Sequence, residues 1–277
     1  MTELVYSRPL IMGILNVTPD SFSDGGLYQD INVAVEHAMG MVQQGADIID
    51  IGGESTRPGS ERVNAGKQIE RTAKIIKTLH EILPEEIAIS IDTTLSEVAQ
   101  AGLNAGATII NDISAGRDAP GIMKLAAEKN CPYIMMHMQG SPQTMQVNPT
   151  YNDVVQEIIS FLQERASYAQ SEGIKKENII IDPGIGFGKT QQHNLEIMRN
   201  LDKFVTTGFP VLLGTSRKRF MREICKSDSP DQLLGATCAT TVLGVQAGIK
   251  IFRVHDVRAN RQAADIAWSI KNNSRID

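Results

Sequence analysis

The sequence is poor in cysteine and in long apolar runs, and it has no excess of basic residues. Its 277 residues include three cysteines and no CxxC pair, so neither a disulfide framework nor a cysteine-rich zinc site is expected, and a reducing, cytoplasmic compartment is favoured. No apolar run is long enough to span a membrane, and residues 10–17 are too short and too polar for a secretory signal. The formal net charge of −5 disfavours binding to nucleic acid or to anionic membranes. Any anionic ligand must therefore be held by a local cluster of cations and backbone N–H groups.

The chain does contain a repeated unit, in which a short apolar run ends at a polar residue and a helical pattern follows. Alternation of strands and helices indicates a parallel sheet with right-handed crossovers. The length and the eight units predict a single-domain (β/α)₈ TIM barrel over residues 1–277, with its active site at the C-terminal ends of the strands. The eight runs are Leu10–Leu15, Asp47–Ile51, Ile87–Ile91, Thr108–Ile110, Pro132–Met136, Asn178–Ile181, Val211–Leu213 and Ile249–Val254.

Several predicted helices end at a glycine, namely Gly45, Gly106, Gly173 and Gly248, which suits a left-handed residue after the last turn. The predicted helix Gln232–Ala247 is unusually rich in small residues. Small residues allow close approach of a second element. That element is either the barrel itself or a second copy of the chain, and the sequence leaves both open.

The segment from Asp182 to Thr190 ends like a nucleotide phosphate loop but does not match one. Pro183 stands where the Walker spacing requires glycine, and Lys189 stands where the GxGxxG pattern requires its third glycine. Asp182 precedes a proline and is therefore biased to an extended conformation at the strand end. The glycines that follow predict a tight turn which a ligand can approach closely.

Basic residues follow the last two predicted strands. Gly214–Arg219 carries three cations after strand seven, where many barrels hold phosphate, and cations are disfavoured at a helix N-terminus without an anion. Arg253 and His255 lie two residues apart and so share one face of strand eight. With Arg57 they predict a second anion site. His137 also ends a strand, but a structural hydrogen-bonding role explains it equally well.

Asp92, Asn111 and Asp182 end three different strands and carry hydrogen-bond acceptors. One such residue would be an ordinary helix cap. Three beside an anion site predict a polar edge for a heterocycle with several N–H donors. No HExxH or GxSxG motif is present, but Mg²⁺ remains compatible because it needs few protein oxygens, and Asn16 is the candidate ligand.

Taken in chain order, these strings resemble the dihydropteroate synthase family of folate biosynthesis, and the resemblance covers nearly the whole chain. Arg219 departs from the family pattern, where a small polar residue is frequent. The matching strings are Met12–Gly26, Asp50–Gly59, Ile91–Thr93, Asn111–Ser114, Met136–Met138, Asp182–Lys189, Ser216–Lys218 and Arg253–Val257.

The resemblance implies a transferase that joins 6-hydroxymethyl-7,8-dihydropterin diphosphate to 4-aminobenzoate, giving 7,8-dihydropteroate and diphosphate. It implies Mg²⁺ at Asn16, competition by sulfonamides, and active-site lids at residues 17–30 and 55–64. A homodimer is expected on general grounds. The pterin residues implied are Asp92, Asn111, Met136, Asp182, Gly214 and Lys218. The diphosphate residues are Asn16, Arg57, Arg253 and His255. The 4-aminobenzoate residues are Phe22, Thr56, Pro58, Phe187, Ser216 and Lys218. Catalytic roles fall to Lys218, Asp92, Arg253, His255 and Asn16.

Three other interpretations remain. A corrinoid-linked methyltransferase shares the pterin edge but needs no diphosphate cluster, so Arg57, Lys218, Arg253 and His255 favour the synthase. A non-catalytic paralogue that binds a pterin or a protein is disfavoured by the intact anion cluster. A purely structural barrel does not need so many polar strand ends.

Overall fold

The computed structural model describes residues 4, 6–17, 26–55 and 62–273. Of residues 26–30 it describes the backbone only. Its framework is a set of eight β-strands. Each strand forms where the sequence is continuously apolar or alternates between apolar and polar residues. The strands are β1 Leu10–Asn16, β2 Ile48–Gly52, β3 Ala88–Asp92, β4 Ile109–Asp112, β5 Tyr133–Met136, β6 Ile179–Asp182, β7 Leu212–Leu213 and β8 Ile251–Val254.

All neighbouring strands are parallel, in the order β6-β5-β4-β3-β2-β1-β8-β7. An isolated parallel bridge joins Ile181 of β6 to Val211, the residue before β7, and brings the two edges of the sheet together. The predicted (β/α)₈ barrel is thereby confirmed. Strand β7 is shorter than the apolar run that predicted it.

Helices follow the strands in sequence and cover the outside of the barrel. Two of them, α7 and α8, are absent from the sequence prediction because five and seven residues are too few for a helical period to show. No helix in the described part of the chain is long and apolar enough to cross a membrane. The helices are α1 Gly26–Gln43, α2 Ala65–Ile82, α3 Ser96–Ala105, α4 Gly121–Lys129, α5 Val154–Ser171, α6 Gln191–Arg199, α7 Leu201–Val205, α8 Arg219–Cys225, α9 Leu234–Ala247 and α10 Val257–Asn272.

The inside of the barrel is built in layers, because every second residue of a strand points inward. The lower layer is a buried apolar cluster of Leu10, Met12, Ile48, Ala88, Ile109, Ile134, Ile180, Leu212 and Ile251. Two residues further along each strand, the inward positions carry the polar groups. Five of these eight positions are polar or charged, namely Asp50, Ser90, Asn111, Asp182 and Arg253, and the other three are Ile14, Met136 and Gly214. The apolar floor therefore supports a polar layer that faces the C-terminal mouth.

At least one of the small residues of α9 allows this helix to pack closely against the barrel. A Cβ built on Gly244 would lie 2.6 Å from Phe252 Cε1, so only glycine lets α9 approach β8 this closely. The outer side of α9 instead exposes Leu243, which is 56% accessible. Helix-on-barrel packing thus accounts for Gly244, while the outer face remains apolar.

Candidate active site

A cleft of about 890 Å³ opens at the C-terminal ends of the strands. Each predicted site residue that the structure describes lines it, namely Asn16, Asp92, Asn111, Met136, Asp182, Phe187, Gly214, Ser216, Lys218, Arg253 and His255. Four predicted residues lie outside the described part of the chain, namely Phe22, Thr56, Arg57 and Pro58. The predicted lids at 17–30 and 55–64 also fall largely outside it.

The β6 end holds Asp182 in place through the turn that follows. Asp182 Oδ1 accepts a hydrogen bond of 2.7 Å from the Gly184 backbone N–H, and the His137 N–H donates to the Asp182 carbonyl. Gly184 has a φ of +68°, and a Cβ on it would lie 1.9 Å from the His137 carbonyl oxygen. Burial raises the pKa of the Asp182 carboxyl, an effect that the Gly184 N–H opposes.

Side chains hold three successive carbonyl groups of the glycine-rich segment Asp182–Thr190, two of them from outside the segment and one, Lys189, from within it. Gln146, Lys189 and Tyr151 donate to the carbonyl oxygens of residues 186, 187 and 188 at 2.8, 2.9 and 2.7 Å respectively. The loop in turn presents the Phe187 ring, whose centroid lies 4.1 Å from Lys218 Nζ. The aromatic face and the ammonium group therefore form one wall of the cleft.

Lys189 and His137 form a buried pair behind this wall. Lys189 Nζ lies 3.0 Å from His137 Nδ1, and burial lowers the pKa of His137 to about 2 and that of Lys189 to about 7. The His137 ring also packs edge-on against Phe161. His137 is not among the residues lining the cleft, so of its two sequence interpretations the structure favours the hydrogen-bonding one.

Arg253 reaches across the mouth of the barrel to two carboxylates. Its Nε donates to Asp50 Oδ2 at 2.6 Å and its Nη2 donates to Asp92 Oδ2 at 2.7 Å. Asn111 Nδ2 donates to the same Asp50 oxygen at 3.1 Å. Sequence reasoning missed Asp50 because it looked for strand ends. The signal was present, since Asp50 is a charged residue in mid-strand, two positions after the inward-facing Ile48.

The electrostatics of this cluster set the charge of each member. Burial raises the pKa of Asp92 to about 7, with Arg253 opposing the rise and Asp50 adding to it. Burial alone would lower the pKa of Arg253, but Asp50 and Asp92 outweigh it and raise that pKa above its ordinary value. Arg253 is thus a permanent cation, whereas the raised pKa of Asp92 makes its carboxyl easier to protonate than an ordinary aspartate.

Of the three cations after β7, two are engaged by carboxylates. Arg217, in a left-handed conformation with φ of +58°, donates to both oxygens of Asp256 at 3.1 and 2.8 Å and to Asp231 at 2.5 Å. Arg219 pairs with Glu223 at 2.8 Å. Lys218 makes no ion pair with a described carboxylate, and burial lowers its pKa to about 8. The prediction that all three cations form the anion site was therefore too broad.

His255 faces the cleft as a neutral group. Burial, followed by the charges of Arg253 and Arg217, lowers its pKa to about 3. Its Nδ1 lies 3.0 Å from the Ser216 hydroxyl, which also accepts from the His255 backbone N–H at 3.1 Å. His255 can therefore offer a ligand a hydrogen bond from a neutral ring.

Known proteins resemble this chain over nearly its whole length. A family model described as pterin binding enzyme matches residues 12–255. A dihydropteroate synthase of Synechocystis sp. is 46% identical over 264 residues, which cover 94% of this chain and 91% of that protein. The structure of Yersinia pestis dihydropteroate synthase with a sulfonamide drug complex has a TM-score of 0.91 at 38% identity, covering 97% of this chain and 96% of that one. Xanthomonas albilineans dihydropteroate synthase with 4-aminobenzoic acid has a TM-score of 0.90 at 40% identity, covering 97% and 95%.

The barrel and its polar mouth thus define a pterin-binding enzyme. More narrowly, the chain belongs to the dihydropteroate synthase family, whose members are transferases. The predicted family, fold and enzyme class are confirmed. The individual role of each cleft residue remains a prediction.

Proposed function

We propose that the chain condenses 6-hydroxymethyl-7,8-dihydropterin diphosphate with 4-aminobenzoate to give 7,8-dihydropteroate and diphosphate. The observation that carries the proposal is the joint placement of Asp92, Asn111 and Asp182 with Lys218 and Arg253 on one cleft. This set offers acceptors for a heterocycle and cations for a diphosphate, as the reaction needs. A corrinoid-linked methyltransferase would not need the cations.

The pterin ring binds at the inner end of the cleft. The carboxylates of Asp92 and Asp182 accept from the ring's N–H donors, and the Asn111 carboxamide pairs with a ring acceptor. Gly214 leaves room there, because a Cβ on it would lie 4.0 Å from both Asp182 Oδ2 and Arg253 Cβ. Met136 supplies an apolar contact. A ring lacking these donors would leave buried carboxylates unpaired and would be rejected.

The chemistry breaks one bond and forms another. The amine nitrogen of 4-aminobenzoate bonds to the pterin methylene carbon, and the C–O bond breaks with its electron pair leaving on the diphosphate. The nitrogen then loses one proton. Arg253 and Lys218 stabilise the negative charge that develops on the leaving group, and the neutral His255 adds a hydrogen bond. Arg57, outside the described residues, is proposed to add a further cation.

The amine substrate binds against the outer wall of the cleft. The Phe187 ring offers a face for an aromatic ring, and Lys218 and Ser216 suit its carboxylate. The proposal extends to Phe22, Thr56 and Pro58, which lie outside the described residues. Sulfonamides, which share the shape of 4-aminobenzoate, are proposed to compete at this subsite, as the Yersinia pestis complex suggests.

Mg²⁺ is proposed to be held by Asn16 at the end of β1. A Cβ built on Gly52 would lie 3.7 Å from Asn16 Oδ1 and 3.6 Å from Asp92 Oδ2, so the missing side chain leaves space between two oxygens. The described residues contain no group of three His, Cys, Asp or Glu able to hold a metal. One protein oxygen completed by phosphates and water suits Mg²⁺. When bound, the ion supplies positive charge to the diphosphate oxygens.

Replacing Asn16 with alanine is expected to weaken binding of the dihydropterin diphosphate about 10- to 100-fold with Mg²⁺ present. Calorimetric titration with Mg²⁺ and again with EDTA measures this. Without the metal, the variant and the wild type should bind alike. Asn16→Asp, which keeps an oxygen ligand, should retain the Mg²⁺ dependence. Equal weakening under both conditions would contradict the metal role.

The activity itself is tested by titrating dihydropterin diphosphate and Mg²⁺ into the purified protein. 4-Aminobenzoate is then added to the same cell, and the product is identified by mass. Binding followed by dihydropteroate supports the proposal. Binding without product favours the non-catalytic paralogue, and no binding overturns the assignment of the cleft.

A homodimer is proposed to form through the outer faces of α9 and α10. These helices pack side by side, and Lys271 Nζ donates to the Val245 carbonyl at 3.2 Å. Their outer faces expose Leu243 at 56%, Ile266 at 64% and Ile270 at 73%. Exposed apolar side chains on two adjacent helices suit a symmetric contact with a second copy.

Introducing a charge by Ile270→Glu is expected to convert the dimer to monomer, because an ionised carboxylate would be buried without a partner. Sedimentation velocity measures the mass. Ile82→Glu is the matched control, since Ile82 is 47% accessible but lies at the end of α2. A dimer retained by Ile270→Glu would refute this interface.

The cytoplasm is proposed as the compartment. All three cysteines are unpaired thiols: Cys131 is buried, Cys225 exposed and Cys238 intermediate. An exposed free thiol is best maintained under reducing conditions. Fractionation of the source cells, with a periplasmic and a membrane marker, tests the assignment.

A further inference from the structure

Asp50 lies directly beneath the proposed site. It is in the middle of β2, its side chain is fully buried, and it is not among the residues lining the cleft. Its Oδ2 atom accepts from both Arg253 Nε and Asn111 Nδ2. One buried carboxylate oxygen therefore contacts two residues to which the proposed function gives different parts of the same substrate, the diphosphate and the pterin ring.

The chemistry of the cluster explains why both residues need this anchor. Arg253 is held by Asp92 as well as by Asp50, but Asp92 faces the cleft and is proposed to bind the pterin. If the Asp92 carboxylate accepts hydrogen bonds from a ligand, its hydrogen bond to Arg253 weakens. Asp50 cannot reach the ligand, so it continues to hold the guanidinium. It also orients the Asn111 carboxamide, whose two ends are chemically opposite.

The burial of Asp50 is not explained by stability. Its Oδ1 atom has no hydrogen-bond partner in the part of the chain that the structure describes, and a buried carboxylate with an unpaired oxygen is costly. An apolar residue would fill an inward position of a barrel strand at lower cost. Buried polar groups that destabilise a fold are found mainly at functional sites, where the geometry of the site requires them.

We infer that Asp50 is a positioning residue for the condensation, which orients Arg253 toward the diphosphate and Asn111 toward the pterin without touching either substrate. This inference rests on the proposed function.

The test compares Asp50→Asn with Ser90→Ala in a steady-state assay of dihydropteroate formation. Ser90 is the register partner of Asp50 on β3 and is equally buried, and its hydroxyl has no hydrogen-bond partner among the described residues. Asp50→Asn should lower kcat about 10- to 100-fold and raise KM for the pterin substrate, since it replaces the charged acceptor that pairs with the Arg253 guanidinium by a neutral amide. The KM for 4-aminobenzoate should not change. Ser90→Ala should stay within about twofold of wild type by the same measure.

A double variant tests whether Asp50 acts through Arg253. In an Arg253→Gln background, adding Asp50→Asn should lower kcat by a smaller factor than it does in the wild type, because Arg253, one of the two partners of Asp50, is already gone while Asn111 remains. The double variant removes both charges of the pair, so it remains informative if Asp50→Asn alone does not fold. Fully additive losses in kcat, wild-type kinetics of Asp50→Asn, or an equal loss in Ser90→Ala would overturn the inference. A wild-type protein that makes no dihydropteroate would instead refute the proposed function.

Discussion

Lys218→Ala is expected to lower kcat/KM about 10²- to 10³-fold while leaving the protein folded, as for loss of one group that stabilises transition-state charge. Lys218 is half-buried in the cleft wall, over the Phe187 ring, and it has no ion pair with a described carboxylate. Its charge is therefore available to substrate. Steady-state kinetics measure the loss, and circular dichroism melting checks the fold.

The pH dependence gives an independent readout of the same charge. Burial lowers the pKa of Lys218 to about 8, so the free enzyme loses this cation as pH rises through that value. Wild-type kcat/KM for the pterin diphosphate should therefore fall above about pH 8. Lys218→Arg should shift that fall upward because arginine stays charged.

The matched control for Lys218 is its neighbour, Arg219→Ala. Arg219 has an exposed side chain that pairs with Glu223 on the same short helix, so its removal should change kcat/KM by less than about twofold. Equal losses at both positions would mean that general positive charge, rather than the position of Lys218, governs the reaction. Full activity of Lys218→Ala would refute its proposed role.

The barrel was predictable because its signal is local. Each apolar run and the helical period after it can be read within about twenty residues, and a strand end such as Asp182 or Asn111 follows directly from the run before it. The converging geometry of a parallel barrel then brings these ends together without further information. That is why every described site residue predicted from the strand ends lines the cleft.

What could not be predicted depends on distant partners and on burial. Arg217 was expected to bind an anion, but Asp256, 39 residues away in sequence, engages it. His255 was grouped with the cations, and only its burial beside Arg253 shows that it is neutral. Asp50 lies inside a strand, where an apolar run indicates only a packed core. Its role depends on Arg253, which is 203 residues away in sequence.

Gly184→Ala is expected to destabilise the protein by at least about 2 kcal/mol. The added Cβ would lie 1.9 Å from the His137 carbonyl oxygen, and the φ of +68° disfavours any side chain. Backbone must move, since the nearest atom, the His137 carbonyl oxygen, belongs to the main chain. Urea denaturation measures the loss in free energy of unfolding.

The control is Gly40→Ala, within helix α1. A Cβ on Gly40 meets nothing within 4 Å, so alanine there should stabilise the protein by about 0.5–1 kcal/mol through helix propensity. Opposite signs for the two substitutions would exclude a general effect of adding a methyl group.

Gly184→Ala should also abolish pterin binding. This loss should exceed the loss expected from the lower free energy of unfolding alone. The Gly184 N–H is the donor that holds Asp182 Oδ1, so displacing this turn releases the carboxylate that faces the ring. Calorimetry with the pterin substrate, performed where the variant is still folded, separates the two effects. If folded Gly184→Ala bound the pterin as wild type does, Asp182 would not depend on the turn, and its geometry would have to come from strand β6 alone.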